Sequence, residues 1–490
     1  MLTWNFLSTI VIFSFILLQA VRWVLLPQFM DIYYHLLTAQ GFIQAGGYSG
    51  WDFWQYAPVG RVHIYPPFFH LILSGFIKLG IDQVVLAKLC EVLIPCLLLF
   101  VTWNFVRKFY SQRLAFFVVL AFFTSNSFYL SLVNHLPATL ALIFGILSLG
   151  QLFKSKLLRS AILLVLSFYT HIGISFFLFL VFIIYGLANK DNRRGVFKSL
   201  GLALILSSPV LIKDIVSLKY ISTFGFNLIE VGNCQIKILE LILSILGVIL
   251  AFKRRNKYSL FLSLFFANLI FLIYPYRFFS GEGYFTTLIF FAIFLDFLYS
   301  YLNKKLLFAL ICVFVLLISP TLIMSKTGEK AKSSVSIKFF DSAFFNMLFV
   351  KVETLWYPNE YLWAVKLVKE NSTNRDAVFS TIDLTGVTIS SLSGRLSANA
   401  LLPEVMPSKA FNPLLTSKII IFTIMDDPLV VKSIEQALRL VKIGENRFFI
   451  VYNNPNCQAR SDIPKAGIGF KPIIVSALIL GLLYIFIKNI

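Results

Sequence analysis

Cysteine and charged residues are both scarce in this chain of 490 residues. The five cysteines form no CxxC pair and show no metal-binding spacing, so we expect neither a disulfide framework nor a zinc site. Only 13% of the residues are charged, whereas 58% are hydrophobic. That apolar content exceeds what a soluble globular domain needs and excludes that class of protein.

Long apolar runs take the place of the missing charge. They recur along most of the chain, and phenylalanine alone contributes 53 residues. Runs of about 18 or more apolar residues are typical of membrane-spanning helices. The sequence therefore predicts a polytopic α-helical membrane protein. The first apolar run, within residues 1–26, has no small-residue cleavage site, so we expect a retained span and not a cleaved signal peptide.

The basic residues lie mainly in short loops between the apolar runs. Lysine and arginine number 43 against 23 acidic residues, a formal net charge of +20. Such loops follow the positive-inside rule and predict a cytoplasmic location, with no nucleic-acid partner. The loops are "RKFYSQR", "KSKLLR", "NKDNRRGVFK", "KRRNK" and "NKK".

Placing every basic loop in the cytoplasm predicts about twelve spans with both termini cytoplasmic. The predicted spans are 4–26, 82–106, 114–133, 136–153, 160–172, 174–189, 199–212, 236–252, 258–275, 284–302, 306–324 and 472–488. Segment 67–80 would form about 21 Å of helix, too short for a hydrocarbon core of about 30 Å. We interpret it as a half-helix that enters from outside after Pro66 and Pro67.

Two regions then lie outside the cytoplasm in this interpretation. The first is the loop 27–66, which with half-helix 67–80 belongs to a transmembrane module over residues 1–324. The second is the more polar region 325–470, which precedes a final span in 471–490. Within it "DAVFST", "KIIIFTIM" and "RFFIVYNN" read as strands and "LVVKSIEQALRLV" as an amphipathic helix. This pattern predicts a small extracytoplasmic α/β domain.

The stretch "DIYYHLLTAQ", residues 31–40, follows the first span and reads as an amphipathic helix along the membrane interface. Asp31 and His35 are four residues apart and would share a helix face. An ionised carboxylate there can act as a general base or hold a divalent cation such as Mg²⁺ or Mn²⁺. The alternative is that Asp31 only caps the helix.

The second outer stretch, "WDFWQYAPVGRVHIYPPFFH" over 51–70, is rich in aromatic residues, which stack on sugar rings but also populate interfaces without a catalytic role. His63 is a candidate catalytic residue, together with Asp31 and His35. Arg61 and Arg277 are candidates for phosphate binding, because arginine recognises phosphate through two parallel hydrogen bonds. An interfacial arginine can instead extend towards lipid headgroups.

All five histidines lie at outer loops or outer helix ends in this topology, as do the acids Asp52 and Glu282. Ionisable groups at the outer membrane surface suit chemistry on a substrate that is part lipid and part polar. The predicted substrate cavity consists of Tyr34, Asp52, Tyr65, His70, His135, His171 and Glu282.

The acid of "DIYYH" after the first span, the following glycine and aromatic residues, and the "YPP" that starts the next helix together resemble the GT-C superfamily of membrane glycosyltransferases. This superfamily includes protein mannosyltransferases, lipid A aminoarabinose transferases and oligosaccharyltransferase catalytic subunits. The resemblance is best over residues 1–200. It implies a polyprenyl-phosphate-linked sugar as donor, Asp31 as the catalytic or metal-linked acid, and Arg277 as the arginine that binds the donor phosphate.

Two features depart from that resemblance. Many relatives carry a second acid where this chain has Asn134 and His135, and no WWDYG-type signature is present, which disfavours peptide glycosylation. The leading hypothesis is transfer of a sugar from the lipid-linked donor to a glycan, lipid or protein acceptor outside the cytoplasm. The alternative is a non-catalytic membrane scaffold that binds a lipid-linked glycan or a protein partner. A transporter is disfavoured, because the charges do not gather at mid-membrane.

Overall fold

The computed structural model describes residues 3–21, 23, 26–27, 31–221, 234–273, 275–302, 305–327, 332–349, 358–401, 405–457 and 462–470. The predicted final span, 472–488, lies outside these residues. The chain divides into two compact units. Unit 1 comprises Met1–Val24, Glu91–Pro209 and Phe226–Val352, and unit 2 comprises Leu25–Cys90, Val210–Gly225 and Glu353–Ile490.

Unit 1 is mainly a bundle of apolar helices. Its helices are Trp4–Val21, Gln112–Ala121, Asn126–Asn134, Leu136–Leu152, Leu157–Thr170, Ile172–Ala188, Ile238–Lys253, Arg255–Asn268, Leu269–Ile273, Pro275–Phe279, Tyr284–Tyr301, Lys305–Leu317 and Ala343–Phe349. Helices Gln83–Phe109 and Arg193–Ser217 begin in one unit and end in the other. Strands Cys234–Lys237, Thr321–Thr327 and Lys332–Lys338 form an antiparallel sheet in this unit.

Five helices in the described residues are long and apolar enough to cross a membrane. Their length and apolar composition support the predicted integral membrane protein. The five are Trp4–Val21, Gln83–Phe109, Arg193–Tyr220, Arg255–Ile273 and Pro275–Tyr301. Five further apolar helices are shorter than 18 residues. The count of about twelve spans therefore stays a prediction.

Two predicted spans differ from the structure. Residues 114–133 form two helices bent by 84°, because Ser125 accepts a hydrogen bond from the Phe128 amide and starts a new helix. In the predicted span 306–324, the helix ends at Leu317 and the chain continues into strand Thr321–Thr327. That strand pairs with a neighbouring strand on each side. Strand pairing therefore determines the structure of these residues, although their apolar pattern predicts a helix.

Unit 2 combines the first outer loop with the sheet-containing region near the C-terminus. Its helices are Asp31–Ala45, Phe68–Lys78, Leu218–Tyr220, Pro358–Asn371, Asp383–Ser393, Pro413–Thr416 and Pro428–Leu438. Its strands are Gly47–Tyr48, Trp51–Asp52, Arg61–Val62, Ala377–Ser380, Leu396–Ser397, Ile419–Thr423, Val441–Glu445, Phe449–Asn453 and Ile468–Gly469.

A five-stranded mixed sheet forms the core of the later part of unit 2. Ala377–Ser380 lies parallel to both Leu396–Ser397 and Ile419–Thr423, and Phe449–Asn453 runs antiparallel to the latter. The strands predicted at "DAVFST", "KIIIFTIM" and "RFFIVYNN" are therefore present. The predicted amphipathic helix is Pro428–Leu438, which Asp427 caps by accepting a hydrogen bond from the Leu429 amide.

The first outer loop is built into this same unit by backbone pairing. Gly47 pairs with Gly469 in a short antiparallel ladder. A Cβ at Gly47 would lie 2.1 Å from the Ile468 carbonyl oxygen, so the close approach of the two strands requires glycine. Helix Asp31–Ala45 also packs against helix Asp383–Ser393, where the Gln40 side-chain amide donates to the Ser391 carbonyl at 2.5 Å.

Candidate functional site

Asp31 is the first residue of the helix Asp31–Ala45, at the point where the helix dipole favours a negative charge. The helix was predicted to lie amphipathically along the interface, but residues 32–42 are all buried. The reason is tertiary packing, since helices Phe68–Lys78 and Asp383–Ser393 both contact it. Asp31 itself is only partly buried.

His35 and His70 meet in the buried interior of unit 2. Their Nδ1 and Nε2 atoms are hydrogen-bonded at 2.8 Å, and both side chains are at most 1% exposed. The Tyr65 ring packs edge-on against His35 at 5.0 Å between centroids. Tyr34 lies 5.8 Å from the Tyr65 ring, and burial raises the pKa of its hydroxyl. The structure thus brings together four residues that the sequence predicted.

His63 is enclosed by aromatic rings. Its ring centroid lies 5.4 Å from that of Trp54 and 5.5 Å from that of Phe42, and the residue is 1% exposed. Neither ring nitrogen has a hydrogen-bond partner within the part of the chain that the structure describes. Burial, reinforced by the nearby Lys213 ammonium, holds the pKa of His63 well below its usual value. The imidazole is therefore neutral near pH 7.

Arg61 and Asp52 form a buried ion pair. Arg61 Nε donates to Asp52 Oδ2 at 3.0 Å, and the exposed fractions of the two side chains are 4% and 1%. The other guanidinium nitrogens donate to the carbonyls of Val405 at 3.0 Å and Leu401 at 2.8 Å. Burial raises the pKa of Asp52 to about 6, and Arg61 opposes this rise, so the carboxyl is ionised at neutral pH.

These contacts give structural partners to two residues that the sequence predicted as site residues. Arg61 was predicted to bind a phosphate, but its Nε donates to Asp52 in the same loop and its other two nitrogens donate to the backbone carbonyls of Val405 and Leu401. Asp52 was predicted to line the substrate cavity. Its carboxylate accepts hydrogen bonds from Arg61 Nε and from the backbone amide and side-chain amide of Gln55. The predicted roles of both residues in phosphate binding and in the substrate cavity stay predictions.

Lys213 and Asp214 were missed by the sequence analysis. The Lys213 ammonium donates to the Tyr65 carbonyl at 3.1 Å and lies 5.5 Å from the Tyr48 ring centroid. Both carboxylate oxygens of Asp214 are buried, with no hydrogen-bond partner among the described residues. The sequence contains a signal for both residues. Two adjacent charged side chains within an apolar helix are energetically costly and are typically functional.

The second group of predicted residues lies in unit 1 and converges on one carboxylate. Glu282 Oε1 is 2.8 Å from His135 Nδ1, and Glu282 Oε2 accepts from Arg277 NH1 at 2.7 Å. The Glu282 side chain is 1% exposed, whereas those of His135 and Arg277 are 18% and 29% exposed. A buried carboxylate thus holds an arginine and a histidine whose outer parts remain accessible.

His171 has a structural contact in the described part of unit 1. Its Nδ1 accepts a hydrogen bond from the Ile174 amide at 3.2 Å, which caps the helix Ile172–Ala188. Histidine at this position satisfies one of the amides that an N-terminus leaves without a helical partner. The predicted place of His171 in a substrate cavity stays a prediction.

The described residues contain no group of three or more histidine, cysteine, aspartate or glutamate side chains that could hold a metal ion. Divalent cations such as Mg²⁺ need several oxygen ligands, and Asp31 supplies one carboxylate. The predicted divalent cation at Asp31 stays a prediction.

Comparison with known proteins identifies the fold. No protein-family model and no curated protein matches the chain. A solved structure of the oligosaccharyltransferase AglB from Archaeoglobus fulgidus, in complex with an inhibitory peptide and a dolichol-phosphate, aligns with a TM-score of 0.58 and 11% identity, covering 92% of this chain and 74% of that one. A complex of the Archaeoglobus fulgidus oligosaccharyltransferase with Zn and sulfate aligns with a TM-score of 0.54 and 11% identity, covering 84% and 68%.

A third similar structure is ArnT from Cupriavidus metallidurans in the apo state. It aligns with a TM-score of 0.53 and 12% identity, covering 92% of this chain and 98% of that one. AglB and ArnT are both members of the GT-C superfamily. The chain therefore has a GT-C-like fold, as the sequence motifs predicted.

Proposed function

We propose that this GT-C-like protein is a membrane glycosyltransferase that takes a sugar from a polyprenyl-phosphate-linked donor and transfers it to an acceptor outside the cytoplasm. The observation that carries this proposal is the arrangement of His135, Glu282 and Arg277 in a GT-C-like fold. The solved AglB complex holds a dolichol-phosphate, a lipid phosphate of the class that we propose for the donor.

Arg277 is the residue that we assign to the donor phosphate. A buried carboxylate fixes one edge of its guanidinium, while the side chain stays 29% exposed. The planar guanidinium is therefore held in place before the phosphate binds, which lowers the conformational entropy lost on binding. Because Glu282 offsets the charge of Arg277, the arginine contributes mainly directed hydrogen bonds to phosphate oxygens, and a protonated His135 would add net positive charge.

Asp31 is the residue that we assign to the acceptor. As its carboxylate takes the proton of the acceptor hydroxyl, the hydroxyl oxygen attacks the anomeric carbon of the donor sugar. The bond between that carbon and the phosphate oxygen breaks, and polyprenyl phosphate leaves with the bonding electrons. Arg277 would stabilise the negative charge on the leaving phosphate. The product has inverted anomeric configuration.

The proposal includes the topology inferred from the basic loops. In this topology the protein has about twelve spans and both termini lie in the cytoplasm. Region 325–470 and the catalytic site lie outside the cytoplasm. His35 and His63 were predicted as catalytic partners of Asp31. Their burial favours a role in holding the helix Asp31–Ala45 in place, because both are at most 1% exposed.

The experiment that tests the donor assignment is binding of radiolabelled polyprenyl phosphate to the purified full chain. We expect Arg277→Gln to weaken binding about tenfold or more, since a charge-assisted hydrogen bond contributes about 1.5–3 kcal/mol. Arg277→Lys should recover only part of the loss. Arg375→Gln is the control, because Arg375 is exposed. Equal affinities for wild type and Arg277→Gln would reject the assignment.

A scaffold that binds a lipid-linked glycan without turnover is the second candidate. The sequence feature that favours it is Asn134-His135, at a place where the resemblance to the GT-C superfamily implies an acid. Release of polyprenyl phosphate by the purified protein from a lipid-linked sugar would exclude this candidate.

A further inference from the structure

A cavity lies within unit 1, and none of the residues assigned above lines it. It has a volume of about 760 Å³ and opens where helix Ile172–Ala188 ends and helix Arg255–Asn268 begins. Ligand sites in proteins typically have volumes of about 300–1,000 Å³. The cavity is therefore large enough for the headgroup of a lipid and the start of its chains.

The walls of this cavity are of two kinds. Lys190 and Arg255 line its polar part, together with the hydroxyl-bearing Ser259. Phe252 and Phe266 line the apolar part, with their ring centroids 6.0 Å apart and edge to face. A small anion alone would leave these aromatic faces uncovered, so the wall composition favours an amphipathic ligand.

The charge at the cavity favours an anion. Within the described ranges, neither Lys190 nor Arg255 has a carboxylate within ion-pair distance, and Asp191 is the single acid in the lining. Two cations against one anion leave a net positive charge. The same end carries the basic segment "KRRNK", residues 253–257, which extends that positive field.

We propose that this cavity binds an anionic phospholipid of the leaflet that faces the basic loops. Its phosphate would lie between Lys190 and Arg255, and its first acyl carbons would lie against Phe252 and Phe266. Basic pockets between membrane helices are suited to such headgroups, and the cytoplasmic leaflet supplies anionic lipids. This inference does not depend on the proposed glycosyltransferase activity.

The test is equilibrium binding of fluorescent phosphatidylglycerol to the detergent-purified full chain, with phosphatidylcholine and inorganic phosphate as separate arms. We expect the double variant Lys190→Gln/Arg255→Gln to lower the affinity for phosphatidylglycerol about 30-fold, because each basic residue near a lipid headgroup contributes about 1 kcal/mol. Inorganic phosphate should not compete, and phosphatidylcholine should bind far more weakly than phosphatidylglycerol.

The matched control is Lys156→Gln/Lys305→Gln, which removes the same charge from two exposed lysines in other basic loops. It should change the affinity less than about threefold if the cavity itself binds the lipid. A second variant, Ser259→Phe, fills the cavity without changing its charge and should also weaken binding. Thermal unfolding without added lipid verifies that each variant folds.

Three results would overturn the proposal. Equal weakening by both double variants would mean that surface charge alone attracts the lipid. Equal affinities for phosphatidylglycerol and phosphatidylcholine would mean that the headgroup charge is not recognised. Competition by inorganic phosphate, dependent on Lys190 and Arg255, would mean a small-anion site.

Discussion

His135 and Glu282, 147 positions apart in the sequence, are joined by a 2.8 Å contact between Nδ1 and Oε1. This contact gives the histidine of "LVNHLP" a buried carboxylate partner. Because Arg277 shares the same carboxylate, the position of the arginine depends on His135 through Glu282.

Glu282→Gln should weaken both the fold and donor binding. The neutral amide cannot pair electrostatically with Arg277 and His135, and loss of such buried hydrogen bonds costs about 1–3 kcal/mol of stability. We expect a lower thermal unfolding temperature and weaker polyprenyl phosphate binding. The control is Glu370→Gln, because Glu370 forms an exposed pair with Lys366 and should contribute little. Unchanged donor binding in Glu282→Gln would show that Arg277 needs no such support.

Arg61→Met should destabilise the protein by about 3–5 kcal/mol, because it leaves the buried Asp52 carboxylate without its cation. Adding Asp52→Asn should recover part of this loss, since the unpaired charge is then removed. The measurement is a double-mutant cycle of unfolding free energies in detergent. Additive effects of the two substitutions would contradict the ion pair as described.

Stability should fall on acidification because of His63. The pKa of this buried histidine lies well below the value of about 6.5 expected in the unfolded chain. The unfolded chain therefore binds a proton first as the pH falls below about 6.5, and the folded state loses about 1.4 kcal/mol per pH unit. The loss continues until the folded-state pKa is reached.

His63→Gln removes this titration while keeping a polar side chain of similar length. The slope of unfolding free energy against pH, measured between pH 6.5 and 5, should decrease by about one proton in this variant. An unchanged slope would mean that the folded protein does not hold His63 in its neutral form.

Asp214→Leu should raise the unfolding free energy of the ligand-free protein by about 1 kcal/mol or more, because burying unpaired carboxylate oxygens is costly. Asp296→Leu is the contrasting variant and should lower stability, since Asp296 pairs with Arg113. If Asp214→Leu instead destabilises the chain, the carboxylate has a partner in the folded protein. A buried charge that lowers the stability of the folded protein and is nevertheless present is typical of a functional residue.

The sequence predicted the elements whose pattern is local. The strands near residues 377–380, 419–423 and 449–453 follow from short apolar runs, and the helix Pro428–Leu438 follows from its period and its Asp427 cap. The Asp31 helix was predicted as well, but its burial was not. Burial depends on neighbouring helices that no local pattern identifies.

The contacts that define the candidate site could not be predicted from local sequence patterns. Arg61 binds backbone carbonyls about 340 residues later, and the pairing of Gly47 with Gly469 joins opposite ends of the chain. Backbone acceptors leave no side-chain signature in a sequence. The break after Ala121 was missed for another reason, because the side-chain hydrogen bonds of Thr124 and Ser125 interrupt an otherwise apolar helix.

The central claim is tested most directly by sugar transfer from a panel of radiolabelled polyprenyl-phosphate sugars, with wild type and Asp31→Asn compared side by side. The account predicts transfer from at least one donor by wild type and a loss of about 100-fold or more in Asp31→Asn, with folding and lipid binding retained. Transfer at the wild-type rate by Asp31→Asn would contradict the assignment of Asp31 as the base. Tight binding of a donor without any turnover would support the scaffold instead.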